Sequence, residues 1–112
     1  MGFLANVWQS APKGTYGKHY RGTFGFQVRK REREMYFDRA ITRVALILDG
    51  EPVSVEITPS FWRDCPKLRH PRIRDYCQKH RLMPGKHRPE ERRKVEMRVI
   101  EPATKFAVSL LG

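Results

Sequence analysis

Apolar residues alternate with polar ones over several short stretches of the chain, which is the pattern of half-buried β-strands. Phe24, Phe26 and Val28 form the first such stretch. After a charged segment, Met35 and Phe37 resume the alternation. The sequence therefore predicts a strand from residue 23 and a shorter strand near residue 36.

The strongest strand signal is the run of apolar residues that ends at Leu48. A continuous run of this kind is typical of a strand covered on both faces. Asp49-Gly50 follows it, and this pair favours a type I′ turn because glycine adopts a positive φ without strain. Residues 53–57 then alternate again, so the sequence predicts a β-hairpin centred on residues 49–50.

Two short helices are predicted after this hairpin. Thr58-Pro59 has the form of an N-cap followed by proline at the first helical position. The second helix is predicted to begin at His70-Pro71, with apolar or aromatic residues every three to four positions up to His80. Pro84-Gly85 marks its end.

A last pair of alternating stretches, residues 95–99 and 106–110, predicts a C-terminal hairpin. The whole pattern indicates an α+β fold with a small, mostly antiparallel sheet or partly closed barrel of about five strands, and a two-helix insertion between hairpins. A chain of 112 residues is the length of one domain. We divide it into an N-terminal arm (1–22), strands (23–58), a helical pair (59–83) and the C-terminal hairpin (93–111).

The excess of basic residues indicates what kind of partner the protein binds. The chain has 23 Lys and Arg against 12 Asp and Glu, a formal net charge of +11, and most of the excess lies in residues 63–94. Because self-repulsion opposes compaction, such an excess is typical of a protein that binds a polyanion. Nucleic acid is the most common polyanion, and an acidic protein face or an anionic membrane surface are the alternatives.

The candidate contacts are the cations of this segment and two tyrosines of the arm. Arginine can direct two hydrogen bonds at one phosphate, and a tyrosine beside cations can stack on an unpaired base. The predicted nucleic-acid-binding residues are Lys67, Arg69, Arg72, Arg74, Lys79, Arg81, Lys86, Arg88, Arg92, Arg93, Lys94, Tyr16 and Tyr20. Arginine and the tyrosine-containing arm favour RNA, or a ribonucleoprotein assembly, over duplex DNA.

Metal and catalytic interpretations have less support. Cys65, His70, Cys77 and His80 lack the short knuckle spacing of zinc sites, and both cysteines fit buried thiols. No histidine and carboxylate stand at a diagnostic spacing. We therefore predict a non-enzymatic protein with no cofactor and no metal. Within the nucleic-acid-binding hypothesis, residues 58–84 are also compatible with a helix-turn-helix that reads DNA. The alternatives to that hypothesis are a phage- or mobile-element-type inhibitor that docks on a nucleic-acid-processing enzyme, and a small metal-independent ribonuclease.

Cysteine content and hydropathy indicate the compartment. Two cysteines are too few for a disulfide framework, and the first residues are too polar for a signal peptide. No apolar run approaches the ~18 residues of a membrane helix. We expect reduced thiols, a cytoplasmic location and no membrane partner.

Overall fold

The computed structural model describes residues 1–9, 24–63, 66–82 and 94–111, which form one mixed sheet with short helices packed against it. The described strands are β1 (Gly2–Gln9), β2 (Phe24–Gln27), β3 (Arg43–Leu48), β4 (Glu51–Glu56), β5 (Lys67–Arg69), β6 (Lys94–Glu101) and β7 (Lys105–Leu110). The described helices are α1 (Lys30–Tyr36), α2 (Pro59–Arg63) and α3 (Pro71–Lys79).

The seven described strands follow the order β4-β3-β7-β6-β1-β2-β5. Every neighbouring pair is antiparallel except β3 and β7, which are parallel. The two outermost strands, β4 and β5, approach each other, so the sheet is a nearly closed barrel. The predicted α+β class and the partly closed sheet are confirmed, whereas about five strands was too low a number.

The core lies on the inner face of this sheet. Phe26, Leu46 and Phe106 are fully buried there, and α2 adds Phe61. Tyr76 of α3 meets the Phe26 ring edge-on, with 6.3 Å between ring centroids. Helix α3 therefore covers the inner face of β2.

The Asp49-Gly50 hairpin is confirmed. Asp49 has φ 52° and Gly50 has φ 82°, so both central residues adopt the positive φ of a type I′ turn. Leu48 pairs with Glu51 directly beside the turn. The predicted C-terminal hairpin is also confirmed, as β6 and β7.

Strand β1 corrects the interpretation of the N-terminus. Residues 2–9 are a strand between β6 and β2, where the sequence analysis placed the start of an arm. Phe3, Ala5 and Val7 are buried, and the residues between them face outward. This alternation is hard to see in the sequence, because the inward-facing Ala5 is small and the outward-facing Leu4 and Trp8 are apolar too. Residues 10–22 of the predicted arm lie outside the described residues.

Helix α1 replaces the charged connection and the short strand predicted at residues 29–37. Lys, Arg, Glu and Met are strong helix formers, and together they outweigh the two-residue alternation. Met35 is exposed, while Arg33 is buried and donates from Nη1 to the carbonyl of Phe61 at 2.9 Å. This hydrogen bond joins α1 to α2.

The two later helices begin where the sequence places them, but α3 ends at Lys79, before the predicted end at Pro84-Gly85, and Arg81 already has a positive φ of 55°. Nδ1 of His70 accepts a hydrogen bond from the backbone N–H of Arg72 at 3.0 Å, so His70 caps α3 and Pro71 occupies its first turn. Between α2 and α3, however, residues 67–69 form β5 and pair with β2. A strand in this position rules out the tight turn of a helix-turn-helix, so that alternative was wrong.

Candidate nucleic-acid interface

The outer face of strands β5, β2, β1 and β6 carries a row of polar and basic side chains. Lys67, Gln27, Asn6 and Lys94 lie opposite one another across these four strands. Each of them is next to a buried residue of its own strand, and successive side chains of a strand point to opposite faces. The row therefore faces away from the core. We call this surface, together with Trp8, Gly25, Arg69 and Arg98, the outer sheet face.

Trp8 lies in the next row, opposite Gly25, which in turn lies opposite Arg69. The ammonium nitrogen of Lys67 is 4.0 Å from the centroid of the Trp8 ring. The guanidinium carbon of Arg69 is 4.9 Å from the same centroid. A half-buried aromatic ring on the outer sheet face is thus held beside two positive charges.

Gly25 provides the space for this arrangement. A Cβ at position 25 would lie 2.7 Å from the carbonyl oxygen of Leu68 and 3.4 Å from Cγ of Arg69. The absence of a side chain lets β5 pair closely with β2 and lets the Arg69 side chain extend toward Trp8. Glycine is required here because the two strands approach closely, and not because of its backbone conformation, since its φ is ordinary.

Positive charge dominates the outer sheet face. Its basic side chains are Lys67, Arg69, Lys94 and Arg98, and the acidic residues in the described part of the four strands are Glu96 and, at the far end of β6, Glu101. Among the described residues, no carboxylate is within ion-pair distance of Lys67, Lys94 or Arg98. These cations can therefore contact an anion without first breaking an ion pair of the described structure.

The cations of α3 have a different environment. Arg72 forms an ion pair with Glu51, and Nζ of Lys79 lies 3.2 Å from a carboxylate oxygen of Asp49. Nε2 of His80 donates to the same Asp49 carboxylate, at 2.9 Å and 3.0 Å from its two oxygens. These contacts fasten the end of α3 to the β3–β4 hairpin and neutralise much of its positive charge.

Asp49 is the centre of this helix–hairpin contact. The hydrogen bond from His80, and after it the hydrogen bond from Lys79, holds the pKa of Asp49 below its ordinary value. The carboxylate therefore stays ionised at neutral pH. Its partners hold it in an anchoring position between two elements, which is a structural role.

The predicted binding residues thus divide into two described groups. Lys67, Arg69 and Lys94 lie on the outer sheet face, whereas α3 and its end carry Arg72, Arg74, Lys79 and Arg81. Since α3 packs on the inner face of β2, the two groups face different sides of the sheet. Six predicted residues lie outside the described residues, namely Tyr16, Tyr20, Lys86, Arg88, Arg92 and Arg93.

Sequence reasoning missed three residues of the outer sheet face. Trp8, Gly25 and Arg98 are absent from the binding residues predicted from the sequence. Placing Trp8 in a period-two strand with Phe3, Ala5 and Val7 would have put it on the outer face. Nothing local in the sequence indicates that β1 is adjacent to β2 and β6.

Of the two cysteines predicted to be buried thiols, the structure describes Cys77. Cys77 is buried in the core, as predicted, and burial raises the pKa of its thiol to about 12. A protonated thiol is a poor metal ligand. In the described part of the chain, no cluster of three or more histidine, cysteine, aspartate or glutamate side chains is arranged to hold a metal ion. Cys65 lies outside that part.

The fold and this surface define an α+β protein with a nearly closed barrel and a cationic, aromatic outer sheet face. Comparisons with protein families, curated proteins and solved structures gave no significant match. Among the described residues, no helix has the length and apolar character needed to cross a membrane.

Proposed function

We propose that this protein is a non-enzymatic nucleic-acid-binding protein, and that its outer sheet face contacts the phosphates of RNA or of a ribonucleoprotein assembly. The observation that carries the proposal is the position of Lys67 and Arg69 against Trp8 on the outer sheet face. Cations that neutralise phosphates release bound counterions, which drives association. An aromatic ring among those cations adds a surface on which a base can stack.

The outer sheet face supports this function better than α3 does. Exposed ion pairs contribute at most about 1 kcal/mol, so phosphates could compete for Arg72 and Lys79. Glu51 and Asp49 would nevertheless remain next to the incoming phosphates and repel them. The outer sheet face carries four basic side chains, and the acidic residues of its described strands are Glu96 and, at the far end of β6, Glu101.

Two matched variants test which surface binds. The sheet variant carries Lys67→Gln, Lys94→Gln and Arg98→Gln, and the helix variant carries Arg72→Gln, Lys79→Gln and Arg81→Gln. Each loses three positive charges from a net charge of +11, so non-specific attraction falls equally. Fluorescence anisotropy with a labelled mixed-sequence RNA at low salt measures Kd, and circular dichroism checks that both variants fold.

We expect the sheet variant to bind roughly 10- to 100-fold more weakly than the wild type. The helix variant should lose only the smaller, shared effect of net charge. The reverse order would move the interface to α3. If the wild-type protein binds neither RNA nor DNA at low salt but forms a salt-resistant complex with a nucleic-acid-processing enzyme, the inhibitor alternative is correct.

A further inference from the structure

Trp8 has no role in the core that explains its position. Phe3, Ala5 and Val7 supply the inward face of β1, whereas Trp8 stands on the outward face. Large aromatic side chains are usually placed where they bury apolar area. Trp8 instead lies half-buried under two cationic side chains, on the most basic part of the described sheet.

We propose that Trp8 is a stacking platform for an unpaired nucleobase, and that the ligand of the outer sheet face is therefore single-stranded nucleic acid. This inference rests on the function proposed above and narrows it to one class of ligand. A duplex presents its bases stacked on one another, so the face of a base is available to an aromatic side chain only in a single strand.

The cations now beside the ring do not prevent stacking. Each of the two cation–π contacts on Trp8 stabilises by about two- to fivefold in an equilibrium constant at an exposed site, or about 4- to 25-fold together. Stacking a base on an aromatic side chain changes affinity by about 5- to 150-fold. Because Lys67 and Arg69 also gain phosphate contacts when they leave the ring, we expect a base to displace them. Both side chains are long and can turn toward the phosphates on either side of the stacked base.

The row of Lys67, Gln27, Asn6 and Lys94 can contact a single-stranded nucleic acid along its length. From Lys67 to Lys94 it crosses three inter-strand spacings, about 14 Å at ~4.8 Å each. The amides of Gln27 and Asn6 lie between these two cations and beside Trp8. Amide groups can both donate to and accept from base edges. A strand laid along the row would thus have cations at both ends and a base on Trp8 near the middle.

Tryptophan fluorescence tests this placement directly. The chain contains two tryptophans, so Trp62→Phe leaves Trp8 as the only one. The probes are a 12-nucleotide oligouridylate, a mixed-sequence 12-mer RNA and the duplex of that 12-mer. We expect both single strands to quench Trp8 on binding and the mixed 12-mer to bind at least tenfold more tightly than its duplex.

Substitution of Trp8 separates stacking from phosphate binding. Trp8→Leu keeps an apolar side chain without an aromatic face, and should weaken single-strand binding by about 5- to 150-fold. Trp8→Phe should recover much of that loss. Trp62→Phe is the matched control, because Trp62 is also half-buried beside two arginines. The guanidinium carbons of Arg33 and Arg39 lie 5.6 Å and 4.5 Å from the centroid of the Trp62 ring. It should bind like the wild type.

The outcomes distinguish this inference from the proposed function. If Trp8→Leu binds like the wild type while the sheet variant does not, the face binds phosphates without stacking and the inference is wrong. Equal affinity for duplex and single strand, with unchanged Trp8 fluorescence, also overturns it. If Trp8→Leu does not fold, the quenching experiment in the Trp62→Phe protein decides. Absence of binding to every probe at low salt overturns the proposed function itself.

Discussion

The ammonium nitrogen of Lys67 lies 4.0 Å from the centroid of the Trp8 ring, although β2 separates the strands that carry them. The contact passes over β2 at Gly25 and Gln27, and Gly25 has no side chain to obstruct it. It places positive charge and an aromatic ring together on a surface that faces away from the core. The proposed interface depends on the proximity of these two residues and on the close pairing of β2 with β5.

Gly25→Ala should disturb that pairing. Because the new Cβ would lie 2.7 Å from the carbonyl oxygen of Leu68, β5 must shift away from β2. We expect the free energy of unfolding in urea to fall by about 1–3 kcal/mol. Gln27→Ala, on the same strand and the same face, is the control and should stay within about 0.5 kcal/mol of the wild type. Equal stability of the two variants would contradict the role assigned to Gly25.

Binding of RNA should weaken steeply as salt is added. The outer sheet face has four described cations, and each neutralised phosphate of a single strand contributes about −0.7 to the slope of log K against log salt. The wild type should therefore show a slope of about −3 or steeper. The sheet variant should lose about 2 from that slope. A slope that is the same in both proteins would show that these cations do not contact phosphates.

Arg33 should contribute strongly to stability even though it is a charged residue. Its guanidinium is buried and donates to the carbonyl of Phe61, which would be left without this partner in Arg33→Ala. We expect a loss of about 2–3 kcal/mol, measured by urea unfolding. Arg39→Ala removes the other arginine beside Trp62, at an exposed site, and should cost less than about 1 kcal/mol. Similar losses in both variants would contradict this account.

The contact between Asp49 and His80 should make stability depend on pH. The folded state holds the pKa of Asp49 below its ordinary value of 3.8, so its stabilisation is complete above that pH and is lost as the pH falls through the lowered pKa. Asp49→Asn keeps a residue that tolerates positive φ but removes the charge. The free energy of unfolding of Asp49→Asn should be lower than that of the wild type at pH 6, and this difference should disappear as the pH approaches 2. A difference that persists unchanged to pH 2 would show that ionisation of Asp49 is not its cause.

Local chemistry made part of this fold predictable. Asp49-Gly50 specifies its turn, and His70-Pro71 specifies a helix start, since each feature depends on a few adjacent residues. The position of β1 depends instead on pairing with β2 and with the distant β6, which no local pattern encodes. Arg72 and Lys79 were chosen as binding residues because they are basic. Only the folded chain brings Glu51 and Asp49 against them.

NMR titration of the isotopically labelled protein with single-stranded RNA locates the interface residue by residue. We expect the resonances of the Trp8 indole N–H and of the backbone amides of β1, β2, β5 and the start of β6 to shift as RNA is added, while those of α3 and the β3–β4 hairpin change little. Shifts confined to α3 and that hairpin, with the Trp8 indole unchanged, would contradict this expectation.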